Sequence, residues 1–130
     1  MRRALVITLC LAGVAAVAAA SDKGLWFDFK PYPDARLLCT EVVLGAKGEH
    51  ITWRTLATTD KVADVVTFFE TSEGTRATER KDGSYNLAAR ADPERVKLSI
   101  YPARLLEAFP HCSEGTRKGE RTVMLVSQRL

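Results

Sequence analysis

The chain has 130 residues, enough for one domain, and its 46% hydrophobic and 27% charged content excludes a disordered chain. The formal net charge is +3, and removal of Arg2 and Arg3 with the first twenty residues leaves 17 basic against 16 acidic side chains. So even a balance carries no electrostatic footprint for nucleic acid or an acidic membrane, and neither is expected as a partner.

Residues 1–20 have the order of a secretory signal. Arg2 and Arg3 supply positive charge, residues 4–17 carry none, and Ala18, Ala19 and Ala20 precede the polar Ser21, Asp22 and Lys23. An apolar run this short and Ala-rich is at the lower limit of a spanning helix, so cleavage is expected and no stable membrane span afterwards. Leu9 ahead of Cys10 argues against a lipidated cysteine, and the flanks of Arg2-Arg3 lack the twin-arginine pattern. The expected location is periplasmic or extracellular, in a bacterial cell. Cys10 leaves with the signal, and Cys39 with Cys112 remain as an even pair in an oxidising compartment. Their bond would stabilise the fold by roughly 4–5 kcal/mol in the chain-entropy account.

Residues 21–36 read as an extended aromatic arm, because Pro31 and Pro33 forbid helix around them. Trp26, Phe27, Phe29 and Tyr32 either cover an edge of the core or bind a partner. The single domain then covers 37–130. Residues 37–44 and 50–57 read as strands joined at Gly45-Ala46-Lys47-Gly48 in a hairpin. A helix follows over about 61–72, with Asp60 as its N-cap, Val62, Val65, Val66 and Phe69 on one stripe, and Gly74 as its stop. Residues 75–79 read as a short strand. Tyr85, Leu87 and Ala89 alternate with polar neighbours, and Val96, Leu98 and Ile100 alternate with Lys97, Ser99 and Tyr101 in the cleanest half-buried strand. One or two helical turns are expected over 103–109. The last strand, 122–128, is apolar on both faces and is therefore expected at the centre of the sheet.

Few residues are candidates for chemistry. His50 and His111 are the only histidines, and no His-x-x-x-His or Cys-x-x-Cys spacing exists, so neither a metal nor another cofactor is expected. Ser72, Ser84, Ser99, Ser113 and Ser127 stand in no nucleophile-elbow context. Asp60 with Asp64 reads as helix capping, and Glu70 with Glu73 as a solvated helix end. Arg76, Arg80, Lys81, Arg90, Arg95 and Lys97 are scattered among acids. Arg117, Lys118 and Arg121 form a small basic patch, a second candidate surface for a partner.

Three stretches, Pro33-Asp34-Ala35, Thr58-Thr59-Asp60 and Val65-Val66-Thr67-Phe68-Phe69-Glu70, resemble a pattern in small exported bacterial proteins and lipoproteins of unknown function. The likeness covers about a third of the chain. Asp64 stands where that pattern has Glu, Phe69 where it has Tyr, and the lipidated cysteine is missing. The resemblance implies an α+β domain and carries no catalytic residue.

Together these readings predict an α+β domain, a mostly antiparallel sheet of five or six strands with the main helix on one face. The expected function is non-catalytic binding of a protein or a cell-envelope component. Two rivals stay open: a small hydrolase using a histidine with a carboxylate, and a secreted inhibitor of hydrolases presenting loop 114–120 beside the disulfide.

Overall fold

A computed structural model describes residues 24–106 and 112–130. The expected signal over residues 1–20, and Phe109 and His111, lie outside the described residues. Six strands alternate in the order the hydrophobic pattern dictates. They are β1 (Arg36–Leu44), β2 (His50–Thr58), β3 (Thr78–Glu79), β4 (Tyr85–Ala88), β5 (Val96–Pro102) and β6 (Thr122–Arg129), with helix α1 (Val62–Glu73) between β2 and β3. They form one sheet in the order β1-β2-β6-β5-β4-β3, every neighbouring pair antiparallel. β1 and β2 are the expected hairpin. β6 is central, paired on both sides, which explains why neither of its faces is polar throughout.

Because successive side chains point to opposite faces, β2, β5 and β6 each contribute to two separate cores. On the first face Leu56, Leu87, Leu98, Ile100, Met124 and Val126 meet Val65, Val66 and Phe69 of α1. Phe69 is fully buried, as the spacing of the apolar stripe requires. Gly74 ends the helix at φ 65°, a left-handed conformation that suits glycine. On the second face Leu38, Ala57, Tyr101, Leu106 and Val123 form a smaller cluster. It is covered by a 3₁₀ turn over Ala103–Leu106 and by Cys112. The Cys39–Cys112 disulfide joins β1 to the segment that leads into β6, across a sequence separation of 73 residues. Of the turns expected over 103–109, the described part is this single one.

Three expectations are corrected. The segment before β1 is not extended: residues 24–29 form a helical turn and a bend, closed by the Phe29 amide donating to the Trp26 carbonyl at 2.9 Å. Phe27 sits there at φ 51°, an unfavourable value for a bulky residue. The turn persists because it lets Trp26 and Phe29 enter the core side by side, where both rings pack against Phe69. Asp60 does not cap the helix. Lys61 occupies that position without a side-chain bond, while the Asp60 carboxylate accepts from the Tyr32 hydroxyl and the Asp60 carbonyl from Thr122 Oγ1 at 2.6 Å. The strand over 75–79 shrinks to two residues because the Ala77 amide donates to Glu70 Oε2 at 2.9 Å instead of to a ladder.

Candidate functional site

The two faces of the sheet are covered unequally, and the register shows where cover stops. On the second face three rungs of side chains cross the strands. The first, Ala57, Val123 and Tyr101, lies under the 3₁₀ turn and the disulfide segment. The second runs Thr55, Leu125, Ser99, Asn86 and Thr78. The third runs Trp53, Ser127, Lys97 and Ala88. The second rung without Thr55, and the third rung, floor an open trough of about 970 Å³. Its floor is half-buried and mixed, with the Trp53 indole and Leu125 beside the hydroxyls of Ser99 and Ser127.

The walls are cationic. Lys97 rises from β5, Arg76 follows α1, Arg80 stands in the turn between β3 and β4, and Arg90 follows β4. All four are exposed, and Glu73 is the one acid with them among the described residues of the lining. Glu73 is buried and already engaged, since its Oε2 accepts from the Arg90 amide at 2.8 Å. Glu70 and Glu73 thus differ from the solvated helix end that the sequence suggested. Two carboxylates at a helix C-terminus oppose the helix dipole, and here each is held by a backbone amide from a later segment.

Beside the trough, and sharing Arg80, Asn86, Ser99 and Leu125 with it, is a cavity of about 220 Å³. Tyr101 and Leu105 line it, together with Asp82. The Asp82 carboxyl is held below its ordinary range, chiefly by the Ser84 hydroxyl and then by the Ser84 amide, at 2.5 and 2.9 Å. Burial pushes the Tyr101 hydroxyl up to about 12, so it stays protonated at physiological pH.

The residues singled out from the sequence fall elsewhere. Trp26, Phe29 and Tyr32 are buried in the first core. Phe27 is half-buried, with the Arg54 guanidinium 4.4 Å from its ring centroid. Arg117, Lys118 and Arg121 are exposed in the loop before β6, outside the trough. That loop is fastened to β1: the Arg36 guanidinium donates to both oxygens of Glu120, at 2.7 and 3.1 Å, and to Glu114 at 3.1 Å. His50 is exposed at the start of β2 and lines neither the trough nor the cavity. Among the described residues no cluster of three or more His, Cys, Asp or Glu could hold a metal ion, and no helix is long and apolar enough to cross a membrane.

The sequence offered only half of the signal for the trough. Lys97 and Ser99 were visible as the polar phase of β5. The convergence of Arg76, Arg80 and Arg90 on them needed the strand order.

The chain is thus a disulfide-clasped α+β domain with one sheet face closed by a helix and the other partly open. No protein-family model, curated protein or solved structure matches it.

Proposed function

We propose that the protein is an exported, non-catalytic binding domain whose open sheet face takes an anionic component of the cell envelope. The observation that carries this reading is the convergence of four cationic side chains from separate segments on one trough, against a single carboxylate that is already hydrogen-bonded. A cleft lined by one sign of charge concentrates ligands of the other sign, and a floor with an indole and two hydroxyls adds contact that charge alone lacks. Export rests on the signal pattern of residues 1–20, and the Cys39–Cys112 bond is compatible with it.

Equilibrium binding to anionic envelope polymers tests the function. Changing Arg76, Arg90 and Lys97 together to Ala should weaken binding at least tenfold and flatten its salt dependence, and unchanged binding would refute the reading. The intact mass of the exported protein should begin at Ser21 and lack two hydrogens.

One observation favours a second reading, a secreted inhibitor. Loop 114–120 is exposed at Glu114, Arg117 and Lys118 yet pinned by Arg36 and the disulfide, as a rigid inhibitory loop must be. Inhibition of secreted hydrolases that is lost in Arg36→Ala would support it.

A further inference from the structure

The sheet has two edges, and they differ. β3 is two residues long and offers little to pair with. β1 is nine residues long, and among the described residues β2 is its one strand neighbour. A long unpaired edge is a template for another strand, and natural sheets blunt it with charge, proline, a bulge or a cover. β1 has such protection at one end, where its register breaks between Leu37 and Cys39 and the disulfide brings Cys112 alongside. Thr40, Glu41, Val42, Val43 and Leu44 have only the one carboxylate, and three of the five are β-branched.

The hairpin fixes which backbone groups of this stretch point outward. The Gly45 amide donates to the Glu49 carbonyl at 2.7 Å, so Gly45 faces β2. Alternation along an antiparallel ladder turns Val43 and Glu41 toward β2 as well, and turns the amides and carbonyls of Thr40, Val42 and Leu44 outward. Register sets the side chains of these three on the first face, opposite Arg54, Thr52 and His50. The aromatic turn meets Arg54, whose guanidinium stacks on Phe27 and donates to the Gly24 carbonyl at 2.6 Å. Past Arg54, Val42 is 63% and Leu44 70% exposed.

This edge is complementary to itself. Set antiparallel about a two-fold axis at Val42, every outward residue meets another: Val42 opposes Val42, and Thr40 opposes Leu44. Each such pair exchanges two hydrogen bonds, so the outward amides and carbonyls of residues 40–44 are all satisfied. Moving the axis to Val43 carries Thr40 onto the turn. Moving it to Glu41 carries Leu44 onto the bulge and sets the carboxylate against its own copy. With the axis at Val42, Glu41 lies opposite Val43 and the two Val42 side chains meet. The pairing consumes the one long edge of each copy, so assembly closes at two.

We infer that two copies of the chain join edge to edge through residues 40–44 of β1, antiparallel about a two-fold axis at Val42, which merges their sheets into one. The axis is perpendicular to the sheet, so both troughs open on the same side, as two sites on one polymer. Five paired residues bury less than a standard interface, so the dimer is a weak one, with a Kd of about 10–100 μM.

Sedimentation of the mature chain over a concentration series, without ligand, tests this independently of the reading of the trough. A monomer–dimer equilibrium is expected. Val42→Lys should raise the Kd by at least about tenfold with the Tm of the monomer unchanged, because the side chain is exposed and only the edge is altered. Under mild oxidation Val42→Cys should cross-link to its own counterpart, since opposed residues of a hydrogen-bonded pair lie about 5.5 Å apart at Cα. Thr40→Cys should not cross-link to itself but should do so with Leu44→Cys in a mixture. A chain that stays monomeric well above that Kd, a dimer that survives Val42→Lys, or self-linking of Thr40→Cys overturns the proposal. Open-ended aggregation overturns it too. Slow hydrogen exchange at the Thr40, Val42 and Leu44 amides in a monomeric chain would mean that another segment of the same chain covers the edge, and would refute it.

Discussion

The first face of the sheet is closed along its middle strands by α1 and the aromatic turn of residues 24–29, and its inward side chains are apolar on β4, β5 and β6. Among the described residues the second face is closed at one end, by the 3₁₀ turn and the disulfide segment, and beyond that end its positions become Ser99, Asn86, Ser127 and Lys97. The two faces belong to the same strands, so backbone preference does not account for the difference. What differs is the supply of covering elements. Among the described residues one helix of twelve residues shields the first face, and a four-residue 3₁₀ turn with the disulfide segment covers part of the second. At the closed end of the second face a covalent clasp supplements a small apolar cluster.

This contrast can be broken by substitution. Phe69→Ala, at the centre of the closed face, should cost about 3–5 kcal/mol in denaturant unfolding. A neutral result would mean that the aromatic turn, and not α1, holds that core. Cys39→Ser should cost about 4 kcal/mol by loop entropy and should loosen the second cluster before the first, read as hydrogen exchange at β1 ahead of β5. Uniform loss of protection would show that the two cores are one cooperative unit.

Smaller effects sharpen the same comparison. Glu120 is held below its ordinary value near 4.5, first by the Arg36 hydrogen bonds. Its contribution is therefore present at neutral pH, declines once the pH falls below about 4.5, and is gone below the depressed folded value. Glu120→Gln should remove about 1–2 kcal/mol at pH 7 and nothing at low pH, measured as Tm against pH. An equal loss at both extremes would show that the pair acts through shape. The smallest change is expected at the open face, where Lys97→Ala should alter stability by no more than about 0.5 kcal/mol, because the side chain is exposed and holds no described bond. A larger loss would mean that the trough is part of the fold's support.

Much of this molecule was legible residue by residue, and the errors have a common cause. Val65, Val66 and Phe69 disclosed the buried face of α1, and Val96, Leu98 and Ile100 the buried face of β5, because a regular period in one dimension maps directly to a side in three. Local pattern makes Asp60 a cap and the residues before β1 an extended arm, whereas the partners of Asp60, Trp26 and Phe29 in the fold, Tyr32, Thr122 and Phe69, lie far along the chain or across the core. Local pattern cannot register a competitor that arrives only on folding.

The sequence by itself determined the α+β class, the hairpin, the helix face, the central last strand and the pair of cysteines, since each depends on a periodicity, a turn residue or a count. Tertiary structure decided which residues would share a surface. The insertion of β6 between β2 and β5 sets Trp53 and Ser127 in one row with Lys97, and the two-residue β3 brings Arg76 and Arg80 to the edge of that row. Strand order and register are collective outcomes of packing both faces at once, and no window along the chain contains them.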